Sequence, residues 1–248
     1  MWDWNYTLDI LPGLVKALWV TVIVTCCGFA AACLGGLLLA LASASRMKLL
    51  SILAKWLVAF VRNTPLLVQV FFLYYTLPKI MNISLSAFTV GIIGLGLHYS
   101  TYLSEVYRSG IEAVPKGQRE AAVALNFPKV QTWITIILPQ AIPPIIPIMG
   151  NYLLVMFKET PVLSAITLVE LLLTAKNTVS ESYRVFEPYT IVGLMFLVIS
   201  YPASLAFAKL EKRLNLQAGA SYKDSSPTSG SGTTVSKSMA ASKKEVGA

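Results

Sequence analysis

Long stretches without charged residues are the feature that most constrains how this chain can fold. Five stretches each reach the length of about 20 apolar residues that a helix needs to cross a bilayer. Four of them contain no Lys, Arg, Asp or Glu, and the second contains only Arg62. They cover residues 17–45, 56–78, 80–104, 130–157 and 188–208. Because a helix satisfies its own backbone hydrogen bonds in lipid, we predict an all-α membrane protein with five transmembrane helices.

Two further segments do not fit this pattern. Residues 161–175 are apolar but few, and Glu170 interrupts them. We expect a re-entrant or partial helix there, covered by protein or a water-filled cavity. Residues 217–248 are rich in Ser, Thr, Gly and Ala and lack an apolar period, which predicts a disordered cytoplasmic tail. The transmembrane domain is therefore expected to span residues 1–216.

The basic residues predict the orientation, because cytoplasmic connections carry the excess of Lys and Arg. One side of a five-span chain would hold Arg46, Lys48, Arg108, Lys116, Arg119, Lys129, Lys209, Lys212 and Arg213. The other side would hold mainly Lys79, Lys176 and Arg184. We therefore place the N-terminus outside and the C-terminus in the cytoplasm. An outer aromatic anchor would consist of Trp2, Trp4 and Tyr6.

The composition argues against several other classes of protein. Charged residues make up only 13% of the chain, against about a quarter in a soluble domain. The net charge is +8, but the basic residues lie between apolar stretches, so no nucleic-acid partner is expected. The three cysteines share one apolar stretch without His or carboxylate partners, so no metal site is expected. One histidine in the whole chain leaves no catalytic constellation, and we predict that the chain is not an enzyme.

The connection after the third predicted span, at about residues 108–130, is the most informative loop. Pro115 and Gly117 break the preceding helix, and residues 118–125 are good helix formers. Asn126 stands where a helix often ends in a left-handed residue, and Pro128 prevents easy continuation. We predict a cytoplasmic helix of about two turns. So short a helix is marginal alone and needs packing or a groove on a partner; a plain surface turn is the alternative.

This loop resembles the EAA signature of the permease subunits of ABC importers. The matching residues are Glu120, Ala121, Ala122, Ala124, Leu125, Asn126, Ile137, Leu138 and Pro139. The family usually has Gly where this chain has Asn126. Residues 60–69, 114–118 and 158–164 resemble the polar-amino-acid subfamily. Within that subfamily, the chain is most similar to permeases assigned to ectoine and hydroxyectoine uptake.

The resemblance implies a subunit that forms the solute path and couples it to a separate ATPase. The loop would be the coupling helix, seated in a cleft of that ATPase. The coupling residues would be Gly117, Glu120, Ala121, Ala122, Ala124 and Asn126. The implied partners are an ABC ATPase dimer, a second permease subunit (related or identical), an extracytoplasmic solute-binding protein and the lipid bilayer. No Gly-x-x-x-x-Gly-Lys-Ser/Thr loop is present, so ATP belongs to the partner and no cofactor is expected in this chain.

Glu159 is the strongest candidate for a contact with the solute. Several prolines crowd the start of the preceding uncharged run, which predicts that its regular helix begins near Pro147. Glu159 would then lie about 18 Å along the helix, near the middle of a hydrocarbon core about 30 Å thick. The resemblance agrees, since this motif lines the solute site in amino-acid permeases. A carboxylate there suits a substrate with a cationic group, such as a polar amino acid or the cationic ring of ectoine.

The substrate's own carboxylate would need hydrogen-bond donors. The candidates are Thr64, Asn151 and Thr160, and Gln69 lies deeper in the second stretch. Pro65 is expected to kink its helix and free backbone carbonyls.

Three other polar features have structural readings. Arg62 can snorkel to the cytoplasmic surface. Glu105 and Arg108 are spaced for a pair on one helix face. His98 stands alone on a Gly-rich span and is expected to be a satisfied interior residue.

An ion-coupled secondary transporter of small polar solutes is the main alternative function. It would explain the apolar stretches and Glu159. It would not explain the loop at residues 108–130, and five spans are few for such folds. Uptake driven by ATP rather than by an ion gradient would separate the two hypotheses. The expected location is in both cases the cytoplasmic membrane, crossed several times.

Overall fold

The computed structural model describes residues 2–224 and the side chains up to Leu214, and every regular element in that part is a helix. The all-α prediction is therefore confirmed for the described residues. The ten α-helices are α1 (Trp4–Ser43), α2 (Lys48–Arg62), α3 (Leu66–Phe71), α4 (Leu77–Met81), α5 (Ala87–Glu112), α6 (Lys116–Ala124), α7 (Lys129–Gln131), α8 (Leu138–Glu159), α9 (Leu171–Ser182) and α10 (Phe186–Asp224). π-Helical turns, Phe72–Thr76 and Thr132–Ile137, precede α4 and α8, and a 3₁₀ helix, Thr160–Ile166, follows α8.

Three helical stretches in the described part are long and apolar enough to cross a membrane. They are Trp4–Ser43, Lys129–Ile166 and Phe186–Leu214, and a fourth arises if the bent pair Lys48–Arg62 and Leu66–Met81 counts as one span. α5, which contains most of the predicted third span, is not among them although it has 26 residues. Its buried face includes His98, Ser100, Thr101 and Ser104. A helix that packs against protein can carry such groups, whereas a lipid-facing helix cannot.

α1 and α5 form the centre of the bundle and run in the same direction. A Cβ built on Gly28 would lie 3.1 Å from the Cβ of Leu95, and one built on Gly36 would lie 2.9 Å from the Cβ of Leu103. Residue numbers therefore rise together along the two helices. Backbones can approach this closely only where small residues face each other, as is common between membrane helices.

α8 runs opposite to α5, and α10 runs opposite to α8. The rings of Tyr102 on α5 and Tyr152 on α8 lie 5.8 Å apart between centroids, while Glu159 meets Tyr99, one turn earlier on α5. Phe157 near the end of α8 packs 5.1 Å from Phe196 near the start of α10. α1, α5 and α10 therefore share one direction, and α8 has the other.

The predicted span at 56–78 is not one continuous helix. α2 ends at Arg62, and the chain turns by 104° before the next helical segment. Pro65, which was expected to produce a kink, produces a complete break, because proline disfavours the helical conformation of the residue before it. α2 is thereby turned sharply away from the direction of the segment that follows it.

α8 differs from the sequence prediction in the opposite way. It begins at Leu138 rather than near Pro147, and it continues through Pro143, Pro144 and Pro147. The prediction of a late start is therefore wrong. Each proline fixes a φ that a helix accepts and removes one hydrogen bond, and membrane helices tolerate proline where neighbouring groups compensate.

Residues 161–175 are divided between the 3₁₀ helix and the start of α9. The 3₁₀ helix ends at Ile166. Thr167 follows it with a φ of 62°, and α9 begins at Leu171. Glu170 is fully buried, and its carboxylate accepts hydrogen bonds from the backbone N–H groups of Leu172 and Leu173 at 2.9 and 2.8 Å. Glu170 interrupts the apolar segment because it caps the next helix.

The N-terminus packs against the junction of α9 and α10. Trp2 lies 5.6 Å from both Trp4 and Phe186 between ring centroids, and Asp3 pairs with Arg184 at 2.7 Å. α1 and α10 therefore start at the same end of the bundle. α10 continues past residue 216 to Asp224; residues 225–248, most of the predicted tail, lie outside the described residues.

Candidate functional sites

Three tyrosines gather where α5 and α8 cross. The ring centroids of Tyr99, Tyr102 and Tyr152 lie 5.8 to 6.2 Å from one another. We call them the tyrosine cluster. Tyr99 and Tyr102 are three residues apart, so the two rings share one face of α5. The ring of His98 lies 5.3 Å from those of both Tyr99 and Tyr102.

Glu159 lies at one end of the tyrosine cluster. The hydroxyl of Tyr99 donates a hydrogen bond to its carboxylate at 2.6 Å, and the Glu159 side chain is half-buried. Tyr99 is twelve residues from the start of α5 and thirteen from its end, so about 18 to 20 Å of helix extends on either side. Glu159 therefore lies level with the middle of α5, although the late helix start that motivated this expectation is wrong.

Arg62 lies at the other end of the tyrosine cluster. Its guanidinium carbon is 4.9 Å from the centroid of the Tyr102 ring, which is a cation–π distance. Tyr102 is ten residues before the end of α5, or about 15 Å of helix. The exposed guanidinium of Arg62 therefore packs on the ring of Tyr102.

A cavity of about 490 Å³ opens beside Arg62. It extends from Tyr102 toward the α6 end of α5, because Glu105 and Arg108 also line it. The remaining lining residues are Ser43, Lys55, Val58, Ala59 and Asn63. The Arg108 guanidinium is paired with both Glu105 and Glu112, which agrees with the expected pair on one helix face. A cleft of this volume is in the range that binds small molecules.

Gln69 and Thr64 form hydrogen bonds across the break between α2 and α3. The Gln69 amide nitrogen donates to the carbonyls of Val61 and Thr64 at 2.7 and 3.0 Å, and to the Thr64 hydroxyl at 2.7 Å. Its amide oxygen faces Nδ1 of His98 at 3.2 Å. The carbonyls freed at Pro65 are thus satisfied within the chain. His98 has an interior partner, and Gln69 links the break to the tyrosine cluster.

The structure does not bring the other two candidate donors to this cluster. Thr160 is fully buried, and its hydroxyl donates to the carbonyl of Phe157 at 2.7 Å. Asn151 is exposed on α8, whereas its neighbour Tyr152 joins the cluster. Of the five residues predicted to touch solute, Glu159 is the one that meets the cluster directly, and Gln69 and Thr64 reach it through His98.

α6 forms a second candidate site, at the end of the bundle that carries the basic connections. Asn126 has a φ of 56°, so the left-handed residue predicted there is confirmed. The N–H groups of Phe127 and Asn126 bond to the carbonyls of Ala122 and Val123 at 2.9 and 3.0 Å. This is the Schellman arrangement that closes a helix. The predicted short helix therefore exists, although it begins two residues earlier than expected.

The exposed side of α6 changes from polar residues in its first half to small and apolar residues in its second half. Val123 and Leu125 are 74% and 71% exposed. Gly117, Glu120, Ala121 and Ala124 are exposed as well, whereas Ala122 is only 1% exposed. Ala122 therefore packs within its own chain, and it is not available to an external cleft. We call the exposed residues Glu120, Ala121, Val123, Ala124 and Leu125 the α6 surface.

The sequence reasoning missed the tyrosine cluster and the placement of Arg62 over it. Tyr99 and Tyr102 at a spacing of three on one predicted span were the available signal. Their partner Tyr152 comes from a distant part of the chain, so nothing local pointed to it.

Comparisons with known proteins agree with this architecture. A family model described as the binding-protein-dependent transport system inner membrane component matches residues 34–216. The probable amino-acid ABC transporter permease protein y4tG of Sinorhizobium fredii is 43% identical over 199 residues, covering 80% of this chain and 86% of the relative. The probable amino-acid permease protein YxeN of Bacillus subtilis is 33% identical, covering 86% and 96%. A crystal structure of an amino acid ABC transporter with histidines superposes with a TM-score of 0.80 at 32% identity, covering 86% of this chain and 99% of that chain.

Proposed function

The chain belongs to the family of binding-protein-dependent transport system inner membrane components, and on that premise we propose that it forms the solute path of an ATP-driven importer. Membership makes it an inner-membrane protein with several apolar helices. Its relatives are transporter permeases and not enzymes. The expectations of a multi-pass membrane location and of a chain without enzymatic activity are therefore confirmed.

The α6 surface is the observation that carries the proposal. An exposed helix of nine residues is too short to persist by its own hydrogen bonds, and here the Schellman closure and the buried Ala122 fix it to the bundle. The α6 surface combines four apolar side chains with the carboxylate of Glu120, and an amphipathic helix of this kind suits insertion into a groove. We assign the groove to an ABC ATPase subunit, so that movement of the ATPase is transmitted through α6 to the spans.

The directions of the helices support five crossings. α1, α5 and α10 run one way and α8 runs the other way, so the bent segment α2–α4 must return the chain between α1 and α5. Five passes with the N-terminus outside then place α6 in the cytoplasm. This orientation agrees with the excess of basic residues near α6.

The remaining partners follow from the class of transporter. An ATPase dimer offers two clefts, which calls for a second permease subunit, either a copy of this chain or a related one. An extracytoplasmic solute-binding protein would deliver the solute at the end where α1 and α10 begin. ATP would be bound by the ATPase, and this chain would need no cofactor.

The solute we propose is a small polar zwitterion. Glu159 offers a carboxylate level with the middle of α5, and the relatives named above are called amino-acid permeases. A polar amino acid or ectoine carries a cationic group that can replace the Tyr99 hydroxyl as a partner of Glu159. The narrower proposal of ectoine or hydroxyectoine depends on the resemblance of the sequence alone.

ATP dependence of uptake tests the proposal against an ion-coupled secondary transporter. The chain, co-purified with its ATPase and partner subunits, is reconstituted into vesicles and supplied with its binding protein and labelled glutamine or ectoine. We expect uptake that requires ATP and persists when an ionophore removes ion gradients. Uptake that runs without ATP and stops with the ionophore would favour the secondary transporter.

A further inference from the structure

We propose that the cavity between α2 and α5 binds the headgroup of an anionic phospholipid, whose acyl chains lie along the exposed apolar side of α2. This inference goes beyond the proposed function, because it concerns the lipid around the bundle and not the solute. The cavity has a volume of about 490 Å³, and its lining includes Lys55, Arg62, Glu105 and Arg108. Its position, its charge and the apolar surface beside it each support a lipid ligand.

The cavity reaches one end of the bundle. Its lining includes Ser43, the last residue of α1, and Arg108, four residues before the end of α5. The uncharged run that contains most of α1 ends at residue 45, and Arg46 and Lys48 follow it. Such a change from apolar to basic residues marks the boundary between hydrocarbon and headgroups. Under the proposed orientation this boundary is cytoplasmic, where anionic lipids attract basic segments.

The cavity carries positive charge that the chain does not neutralise. Arg108 is paired with both Glu105 and Glu112. Lys55 and Arg62 take part in none of the ion pairs among the side chains that the structure describes. Their cationic groups therefore remain for an anion, and basic pockets between membrane helices typically bind acidic headgroups. A guanidinium also matches the geometry of a phosphate.

α2 combines a row of cations with an apolar side. Lys48, Lys55 and Arg62 are exposed, and they are spaced seven residues apart, or about two turns, so that they form one row along the helix. The buried side of α2 consists of Ala54, Val58 and Val61. The remaining side consists of exposed apolar residues, namely Leu49, Ile52, Leu53, Trp56 and Phe60. A helix with Lys and Arg beside Trp, Phe and Leu is typical of the boundary between headgroups and acyl chains.

The apolar side distinguishes a lipid from a small anion. Trp56 and Phe60 are 64% and 54% exposed, and their rings stack at 5.4 Å between centroids. Trp56 directly follows Lys55 in the chain, so the acyl chains of a lipid bound at Lys55 would lie beside these rings. A free phosphate or a solute carboxylate would use the cations and leave the apolar side uncovered.

Binding of two labelled lipids to the complete purified transporter complex tests the inference. Phosphatidylglycerol and phosphatidylcholine carry the same labelled acyl chain, but only the first has a net negative charge. We expect the wild type to prefer phosphatidylglycerol. Lys55→Gln and Arg62→Gln should each weaken its binding about fivefold, and the double variant about 25-fold. Binding of phosphatidylcholine should change by less than about twofold, because its headgroup has no net charge, and this also checks that the complex remains folded.

Lys48→Gln is the matched control. Lys48 lies in the same row of α2 but does not line the cavity. Its removal should change the preference for phosphatidylglycerol by less than about twofold, because Lys48 is about 10 Å from Lys55 along the helix and salt screens its charge. Two competitors complete the test: glycerol 3-phosphate is a headgroup anion without acyl chains, and glutamine supplies a solute carboxylate. Neither should displace the labelled lipid from the wild-type complex.

The inference is overturned if the wild type binds both lipids equally, or if Lys55→Gln and Arg62→Gln leave the preference at the wild-type value. An effect of Lys48→Gln as large as that of Lys55→Gln would indicate attraction to a diffuse basic surface and would reject the cavity as the site. Displacement by glycerol 3-phosphate would identify a small-anion site, and displacement by glutamine a part of the solute path; both reject a lipid site. A complete complex that binds no phosphatidylglycerol also rejects it, and would indicate that a second permease subunit covers this side of α2.

Discussion

The side chains around the tyrosine cluster have partners within the chain, whereas those of the α6 surface are exposed. In the interior, the Tyr99 hydroxyl, the Gln69 amide and the Thr160 hydroxyl all bond within the chain. On α6, Val123 and Leu125 are apolar and largely exposed. These interior groups therefore have partners within one chain. Under the proposed function, a solute would compete for the Tyr99–Glu159 bond. Under the proposed function, a partner would cover the α6 surface.

The largest expected effect concerns the packing that supports the interior. Gly36→Val should lower stability by about 3 kcal/mol, because a Cβ at this position would lie 2.9 Å from the Cβ of Leu103 and 3.0 Å from the carbonyl oxygen of Ser100. Gly13→Ala is the matched control, since nothing lies within 4 Å of a Cβ there. Melting temperature in detergent measures both. Equal melting temperatures would show that the seam between α1 and α5 is not tightly packed.

Loss of the Glu159 charge should affect the interior site and not the α6 surface. Glu159→Gln is expected to weaken solute binding by roughly 1.5–3 kcal/mol, or about 10-fold to 100-fold, as for a hydrogen bond to a charged group. Glu120→Gln removes a carboxylate from α6 and should leave binding unchanged. Titration of labelled solute onto the purified complex measures both constants. Unchanged binding in Glu159→Gln would assign Glu159 a structural role.

Gln69 is expected to act on stability more than on binding. Gln69→Leu leaves the carbonyl of Thr64 without its donor. It also removes one of the donors to the carbonyl of Val61, which keeps the N–H and the hydroxyl of Thr64. The loss should cost about 1–3 kcal/mol. Asn63→Ala removes a comparable bond to the carbonyl of Ala59, but at an exposed site where water can replace it. A lower melting temperature for Gln69→Leu alone is the expected result. If Gln69→Leu instead weakened solute binding at normal stability, Gln69 would be assigned as a residue that binds the solute.

The smallest effect is expected at the end of the bundle where α1 and α10 begin and where Asp3 pairs with Arg184. The hydrogen bond from Arg184 and those from the backbone N–H groups of Tyr6 and Asn5 lower the pKa of Asp3 below its ordinary value of 3.8. The pairing of Asp3 therefore stabilises the folded chain fully at pH values above 3.8. This stabilisation is lost as the pH falls through the lowered pKa of Asp3. Asp3→Asn should remove this acid-dependent part of the melting temperature. The same acid dependence in Asp3→Asn and wild type would contradict the assignment.

The sequence was sufficient where local chemistry decides the structure. Asn126 ends α6 because a left-handed residue is needed directly after the helix, and Pro65 breaks its helix through the residue before it. Contacts between residues far apart in the chain could not be predicted from the sequence. The meeting of Glu159 with Tyr99 joins residues sixty positions apart, and the burial of Ala122 depends on the neighbouring elements. The prolines of α8 were misread because a helix within a bundle tolerates losses that an isolated helix does not.

The coupling assigned to α6 is tested most directly by solute-stimulated ATP hydrolysis of the reconstituted complex. Ala124→Trp adds bulk to the α6 surface without touching the spans, and Glu120→Lys reverses a charge on it. Gly13→Ala, at the other end of the molecule, is the control. We expect both α6 variants to insert normally while stimulation falls at least about tenfold, with the ATPase either released or hydrolysing ATP without moving solute. Stimulation and assembly at wild-type levels in both variants would contradict the assignment of α6 as the coupling helix.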